Sequence, residues 1–199
     1  NAADKKDALL SLLRTPDIGQ AVVFTLQKNI ANEVCAFITE AGITAEALHG
    51  NKSQGQRERA LDAFRSGAAQ VLVATDIAAR GLDVDTVTHA FNHDLPSLPE
   101  SYVHRIGRTG RAGRSGFAIT LCDAEQRAWL HDVEREIGRT LDVHADHPWH
   151  SEEARHSTMR APVLGGGPVK QIKPQKVRER KIWTEEEKNA ARAAAKKTA

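Results

Sequence analysis

The sequence has little cysteine, few aromatic residues and no long apolar run. Its two cysteines, Cys35 and Cys122, lie far apart and make no C-x-x-C pair. That argues against disulfide or thiolate–metal chemistry and fits a reducing cytoplasm. Five Phe, three Trp and one Tyr leave the core to aliphatic side chains. No apolar stretch approaches a membrane span, and no signal peptide is visible, so no membrane partner is expected. No G-x-x-x-x-G-K-[ST] occurs, which excludes a phosphate loop with its lysine. The chain begins with Asn rather than Met and is read as a piece of a longer protein.

What is present suits a water-soluble globular domain: 199 residues, 40% hydrophobic and 27% charged. The net charge of +2 hides an asymmetry. Residues 155–199 carry 12 basic against 4 acidic side chains, and the rest carry 16 against 22. A mildly acidic body with a basic arm is a layout found in nucleic-acid proteins. The expected division is a domain over residues 1–146 and a basic, largely flexible extension over 147–199. Residues 165–167 are three glycines between Pro162 and Pro168, which makes a joint. Thr184 and Glu187 form a capping box for a short helix over 184–197, and Trp183 is able to stack on a base. A solvated tail without a partner explains the same composition.

The densest chemistry is in residues 102–115, YVHRIGRTGRAGRS. Arg105, Arg108, Arg111 and Arg114 recur every third residue, with Gly107, Gly110 and Gly113 between them. Arginine so dense repels itself, and glycine so dense weakens helix and strand alike. The pattern suits a polyanion: the guanidinium fork fits phosphate oxygens, and glycine lets backbone N–H groups come close.

Short apolar runs alternate with helical spacing along the chain. Strands are expected at 21–24, 43–48, 71–74, 87–91 and 117–121, with one more at 141–144. Helices are expected at 4–14, 27–41, from Ser53 to Gly67, 99–108 and 124–138. The fold class is therefore α/β: an open, mostly parallel sheet covered on both faces. Thr25, His49-Gly50, Thr75-Asp76 and Asn92-His93 each follow a strand, and in such sheets ligands gather at the carboxyl ends. The Gly/Arg loop is expected at the same rim. His144, His147 and His150 invite a metal reading, but Pro148 breaks their spacing and no cysteine completes a ligand set, so no metal is expected.

Three stretches, LHGNKSQGQRERALDAFRSG at 48–67, VLVATDIAARGLDV at 71–84 and HRIGRTGRAG at 104–113, carry a family resemblance. In this order they resemble the second RecA-like domain of DEAD-box ATP-dependent RNA helicases, and the NKSQ wording is similar to the bacterial RhlE-type branch. The resemblance covers roughly residues 4–142, the span of one such domain. It implies that Arg108 and Arg111 act as arginine fingers toward ATP, with its Mg²⁺, held mainly by a first domain. It implies that His104 and Arg105 contact that domain's acidic motif, and that Asp83 meets the ATP ribose. Gln54, Arg57, Thr75, Arg80, Gly81 and Gly110 are implied to hold the RNA backbone without sequence preference. Thr25, at the place of the family's first C-domain motif, is carried as a further RNA candidate. Arg114 falls outside the motif and is left as a surface or RNA-backbone charge.

The implied partners are RNA and the N-terminal RecA-like domain of the same chain, with ribosome-assembly or RNA-decay proteins left open. No D-E-A-D is present, so the fragment alone is expected to lack ATPase and unwinding activity. Two alternatives stay open: a protein- or RNA-docking module without its own catalysis, and a DNA translocase domain of the same superfamily.

Overall fold

A computed structural model describes residues 2–79, 84, 86–110 and 115–158. It divides the chain into a compact unit, Asn1–Leu164, and a second unit, Gly165–Ala199, which lies outside the described residues together with the expected helix at 184–197.

Five strands form one parallel sheet in the order β2-β3-β1-β4-β5. They are β1 (Gln20–Thr25), β2 (Ala45–Leu48), β3 (Val71–Thr75), β4 (Val87–Asn92) and β5 (Phe117–Thr120). The runs AVVF and VLVA are buried throughout because both sheet faces are covered. Successive side chains of β1 and β3 go to different layers. Val22, Phe24, Leu72 and Ala74 pack with Phe64 and Ala78. Ala21, Val23, Val71 and Val73 pack with Leu9, Leu13, Val34 and Ile38.

The helices that supply those layers are α1 (Lys5–Leu13), α2 (Lys28–Glu40), α3 (Gln54–Arg65) and the single turn α4 (Asp76–Ala79). Beyond β4 come α5 (Pro99–Ile106), α6 (Arg127–Ile137) and a short α7 (Glu152–His156). Tyr102 of α5 and Trp129, Leu130 and Val133 of α6 make a third apolar cluster with Leu95. The expected capping box opens α3: Ser53 Oγ accepts from Gln56 N–H at 3.3 Å, and Gln56 Oε1 accepts from Ser53 N–H at 2.9 Å. Gly138 ends α6 at φ 72°, the left-handed conformation that glycine adopts without steric cost.

Two expectations do not hold. Residues 141–144 form no strand, because no neighbouring strand pairs with them. The packed part of the chain also runs past residue 146. Trp149, Ser151 and Ala154 line a cavity with Ile119 and Leu130, and Ser157 Oγ donates to the Ala124 carbonyl at 2.8 Å.

Strand register sets the rim. Thr25 pairs with Thr75, Phe24 with Asn92 and Asn92 with Thr120, so the carboxyl ends of four strands finish at one level.

Candidate functional site

The rim is organised around one buried guanidinium. Arg105, on α5, is 1% exposed although it lies in the most basic stretch of the chain. Its Nε and Nη2 donate to Asp76 Oδ1 and Oδ2 at 2.5 and 2.8 Å. Its Nη1 donates to Asn92 Oδ1 at 3.1 Å and to the Asp94 carbonyl at 2.5 Å. The guanidinium also sits 5.3 Å from the centre of the Phe24 ring. One side chain therefore ties together the ends of β1, β3 and β4. Two parallel bonds to one carboxylate are the geometry arginine favours, and the aromatic face adds attraction on the third side.

This corrects the expectation that Arg105 faces a partner domain. Four of its donors already have partners inside the fold, and the side chain has no surface to offer. His104, one residue earlier, is exposed. Arg108 lies one turn further on, half-buried, with Nε donating to the His104 carbonyl at 3.1 Å. Arg108, His104, Ser101, Asp76 and Ala79 line a narrow cleft of about 20 Å³ against Arg105 and Phe24.

Past Arg108 the described part of the Gly/Arg loop, Thr109 and Gly110, turns toward the start of β4. Thr109 Oγ1 lies 3.1 and 2.8 Å from the carbonyls of Val87 and Thr88, the first two residues of β4. An eight-residue helix is ~12 Å long, enough to carry the chain from the end of β4 back toward its start. Gly110 is exposed, at φ 70°. Arg111 and Arg114 lie outside the described residues, as do Arg80, Gly81 and Asp83.

On the other side of the rim, Gln54 and Arg57 stand three residues apart in the first turns of α3, a spacing that puts them on one face. Gln54 is exposed, its Nε2 donating to Glu58 Oε1 at 2.9 Å. Arg57 is half-buried, and its Nε has no acceptor among the described residues. Thr75 is half-exposed at the end of β3. Thr25 is fully buried, its hydroxyl 3.2 Å from the Gln27 carbonyl, so its side chain has no surface to give to RNA. His49 is buried against Asn32 Oδ1 at 2.9 Å. Burial, helped by the charges of Lys52 and Lys28, pushes its pKa down, so it stays neutral near pH 7.

Behind the rim lies a second polar cluster that the motifs did not signal. Lys5 is 5% exposed, with Nζ 2.8 Å from Asp123 Oδ2, 2.8 Å from Gln126 Oε1 and 3.6 Å from Asp94 Oδ1. Burial pushes the Asp94 carboxyl up, but His93, Lys5 and the Leu26 N–H outweigh it and hold the pKa at about 2. The larger cavity, about 410 Å³, lies over β5 between α1, α6 and residues 139–155, and none of the candidate site residues lines it.

Residues 4–113 match the helicase conserved C-terminal domain. The chain belongs to that family. The DEAD-box ATP-dependent RNA helicase CshA of Bacillus licheniformis is 46% identical over 138 residues, 69% of this chain and 28% of the relative. Escherichia coli DEAD-box protein SrmB, solved bound to regulator of ribonuclease activity A, has a TM-score of 0.70. It is 37% identical, over 82% of this chain and 93% of that chain. Saccharomyces cerevisiae Dbp5, solved bound to RNA and ADP BeF3, has a TM-score of 0.66 at 37% identity, over 71% of this chain and 38% of that one.

The helicase C-terminal domain described here is thus of the DEAD-box RNA helicase kind, with the RecA-like fold of its relatives. The finer RhlE-type branch does not follow from these likenesses. The chain spans about 28% of the length of the curated relatives it matches. No helix among the described residues is long and apolar enough to cross a membrane, and no group of metal-ligating side chains occurs among them.

Proposed function

We propose that this chain is the second RecA-like half of a cytoplasmic ATP-dependent RNA helicase and works only against a first, nucleotide-holding domain. The observation that carries the reading is an Arg105 pinned on α5 with Arg108 just past the end of that helix at the cleft. Arg105 fixes the helix. Arg108 then presents an always-charged group from a rigid support, as a residue that neutralises charge on a transferring phosphoryl group requires.

The donor set fits half of a nucleotide site. Asp76, the carboxylate lining the cleft, already holds Arg105, and among the described residues no second carboxylate lines it to hold Mg²⁺. ATP and its Mg²⁺ would be held mainly by the other domain, with Arg108 and His104 facing it, and with Arg111 and Asp83 in the roles that the family resemblance implies. When bound, the nucleotide supplies the energy for closing the domains. This chain's residues orient, neutralise and exclude water.

Gln54, Arg57 and Thr75 form the RNA-facing part of the reading, joined by Arg80 and Gly81 on the resemblance. Amide, guanidinium and hydroxyl donors of this kind grip phosphates, so binding is sequence-independent and weakens with salt. Likeness to SrmB in its complex supports regulators of RNA decay as a partner class. Steady-state ATP hydrolysis by the 199-residue chain with RNA tests the division of labour. Turnover at background is expected. Turnover near that of an intact DEAD-box helicase would overturn it.

A further inference from the structure

The loop from His93 to Leu98 joins β4 to α5, and polar groups hold it from two directions. On one side Arg105 Nη1 donates to the Asp94 carbonyl at 2.5 Å. On the other, Asp94 Oδ2 accepts from Leu26 N–H at 3.1 Å, and Gln126 Oε1 accepts from Leu95 N–H at 3.1 Å. Lys5 stands at the centre of this second side. Its ammonium donates to Gln126 Oε1 at 2.8 Å and lies 2.8 Å from Asp123 Oδ2 and 3.6 Å from Asp94 Oδ1. Asp123 Oδ1 in turn accepts from Gln126 N–H at 2.9 Å.

Lysine is almost never buried so fully unless paired, and here two acceptors lie within hydrogen-bond distance of the ammonium, with the Asp94 carboxylate a longer ion pair. Without the ammonium, two buried carboxylates would lie near one another with no intervening cation. Like charges in a dry site cannot both remain comfortable, so Asp94 and Asp123 would move apart or take up protons. A shift of the Asp94 main chain is passed on, because its carbonyl is bonded to Arg105, and Arg105 to Asp76. A chain of polar contacts, Lys5–Asp94–Arg105–Asp76, in which the main-chain carbonyl of Asp94 meets Arg105, thus connects α1 to the rim.

We propose that Lys5 is a positioning residue for α5: through Asp94 and Arg105 it sets where His104 and Arg108 stand, and so governs the rate of the chemistry they serve. The rate part rests on the reading of Arg108 given above. Lys5 touches neither nucleotide nor RNA, and its effect belongs in the rate at saturation rather than in nucleotide affinity.

The test uses Lys5→Met, and Lys5→Met with Asp123→Asn, which removes one of the stranded carboxylates should the single variant fold poorly. Well below the unfolding midpoint, NMR spectra of the chain should show the Arg105 Nε–H and the amides of residues 102–108 displaced in either variant. In the complete protein, RNA-stimulated ATP hydrolysis should lose at least tenfold in kcat, with KM for ATP within about twofold. Unmoved Arg105 and α5 signals overturn the proposal. So does a normal kcat with displaced signals, provided Arg108→Lys abolishes turnover. If Arg108→Lys is also normal, it is the reading of Arg108 that has failed, and the NMR result alone decides the role of Lys5.

Discussion

Replacing Asp76 by alanine removes the carboxylate that holds both arms of Arg105. The guanidinium is 1% exposed and cannot turn to water, whereas the Asp76 side chain is 29% exposed. Breaking a fully buried ion pair from one side costs about 3–5 kcal/mol. Partial wetting of Asp76 lowers that, as do the bonds Arg105 keeps to Asn92 and the Asp94 carbonyl. A cost of about 2–4 kcal/mol is expected, or ~4–16 °C in Tm at 2–4 °C per kcal/mol for a domain of this size. Thermal and urea unfolding of Asp76→Ala, Arg105→Met and the double variant form the assay. Most of the cost is a stranded charge, so Asp76→Ala should cost under about 1 kcal/mol when Arg105 is already Met. Equal costs in the two backgrounds, or a shift below ~2 °C in the single variant, would refute the pinning of Arg105.

Asp94 should mark the acid limb of stability. Its folded pKa of about 2 lies below the ordinary 3.8, so its contribution is complete above pH ~4 and is lost as pH falls toward 2. Urea midpoints of the wild type and Asp94→Asn should therefore converge between pH 5 and about 2, by ~2 kcal/mol. Arg57→Ala should weaken RNA binding by the complete protein to a similar degree for all sequences and reduce the salt slope by about one, in fluorescence anisotropy titrations. A change confined to one RNA sequence would instead point to base reading.

The parts of the fold visible in the sequence are those with local causes. AVVF and VLVA read as buried strands because a parallel sheet with two covered faces needs no polar alternation. Ser53 and Gln56 announced α3 because a capping box closes within four residues. The misreadings share a different cause. Within R-x-x-R spacing Arg105 looks equivalent to Arg108, and only Asp76, 29 residues earlier, makes it internal. Lys5 draws no reading from the sequence, since its acceptor Gln126 lies 121 residues away. Thr25 follows a strand as Thr75 does, but it lies on the central strand of the five and is buried there. LDVH at 141–144 has the alternation of a strand without a neighbour to pair with.

The proposed division between a pinned Arg105 and an Arg108 that neutralises phosphoryl charge is tested most directly by RNA-stimulated ATP hydrolysis of the complete protein carrying Arg108→Lys. Lysine keeps the charge but not the fork, so turnover should fall by ~10³ or more while the unfolding midpoint stays within about 1 °C. Wild-type turnover in that variant would contradict the assignment.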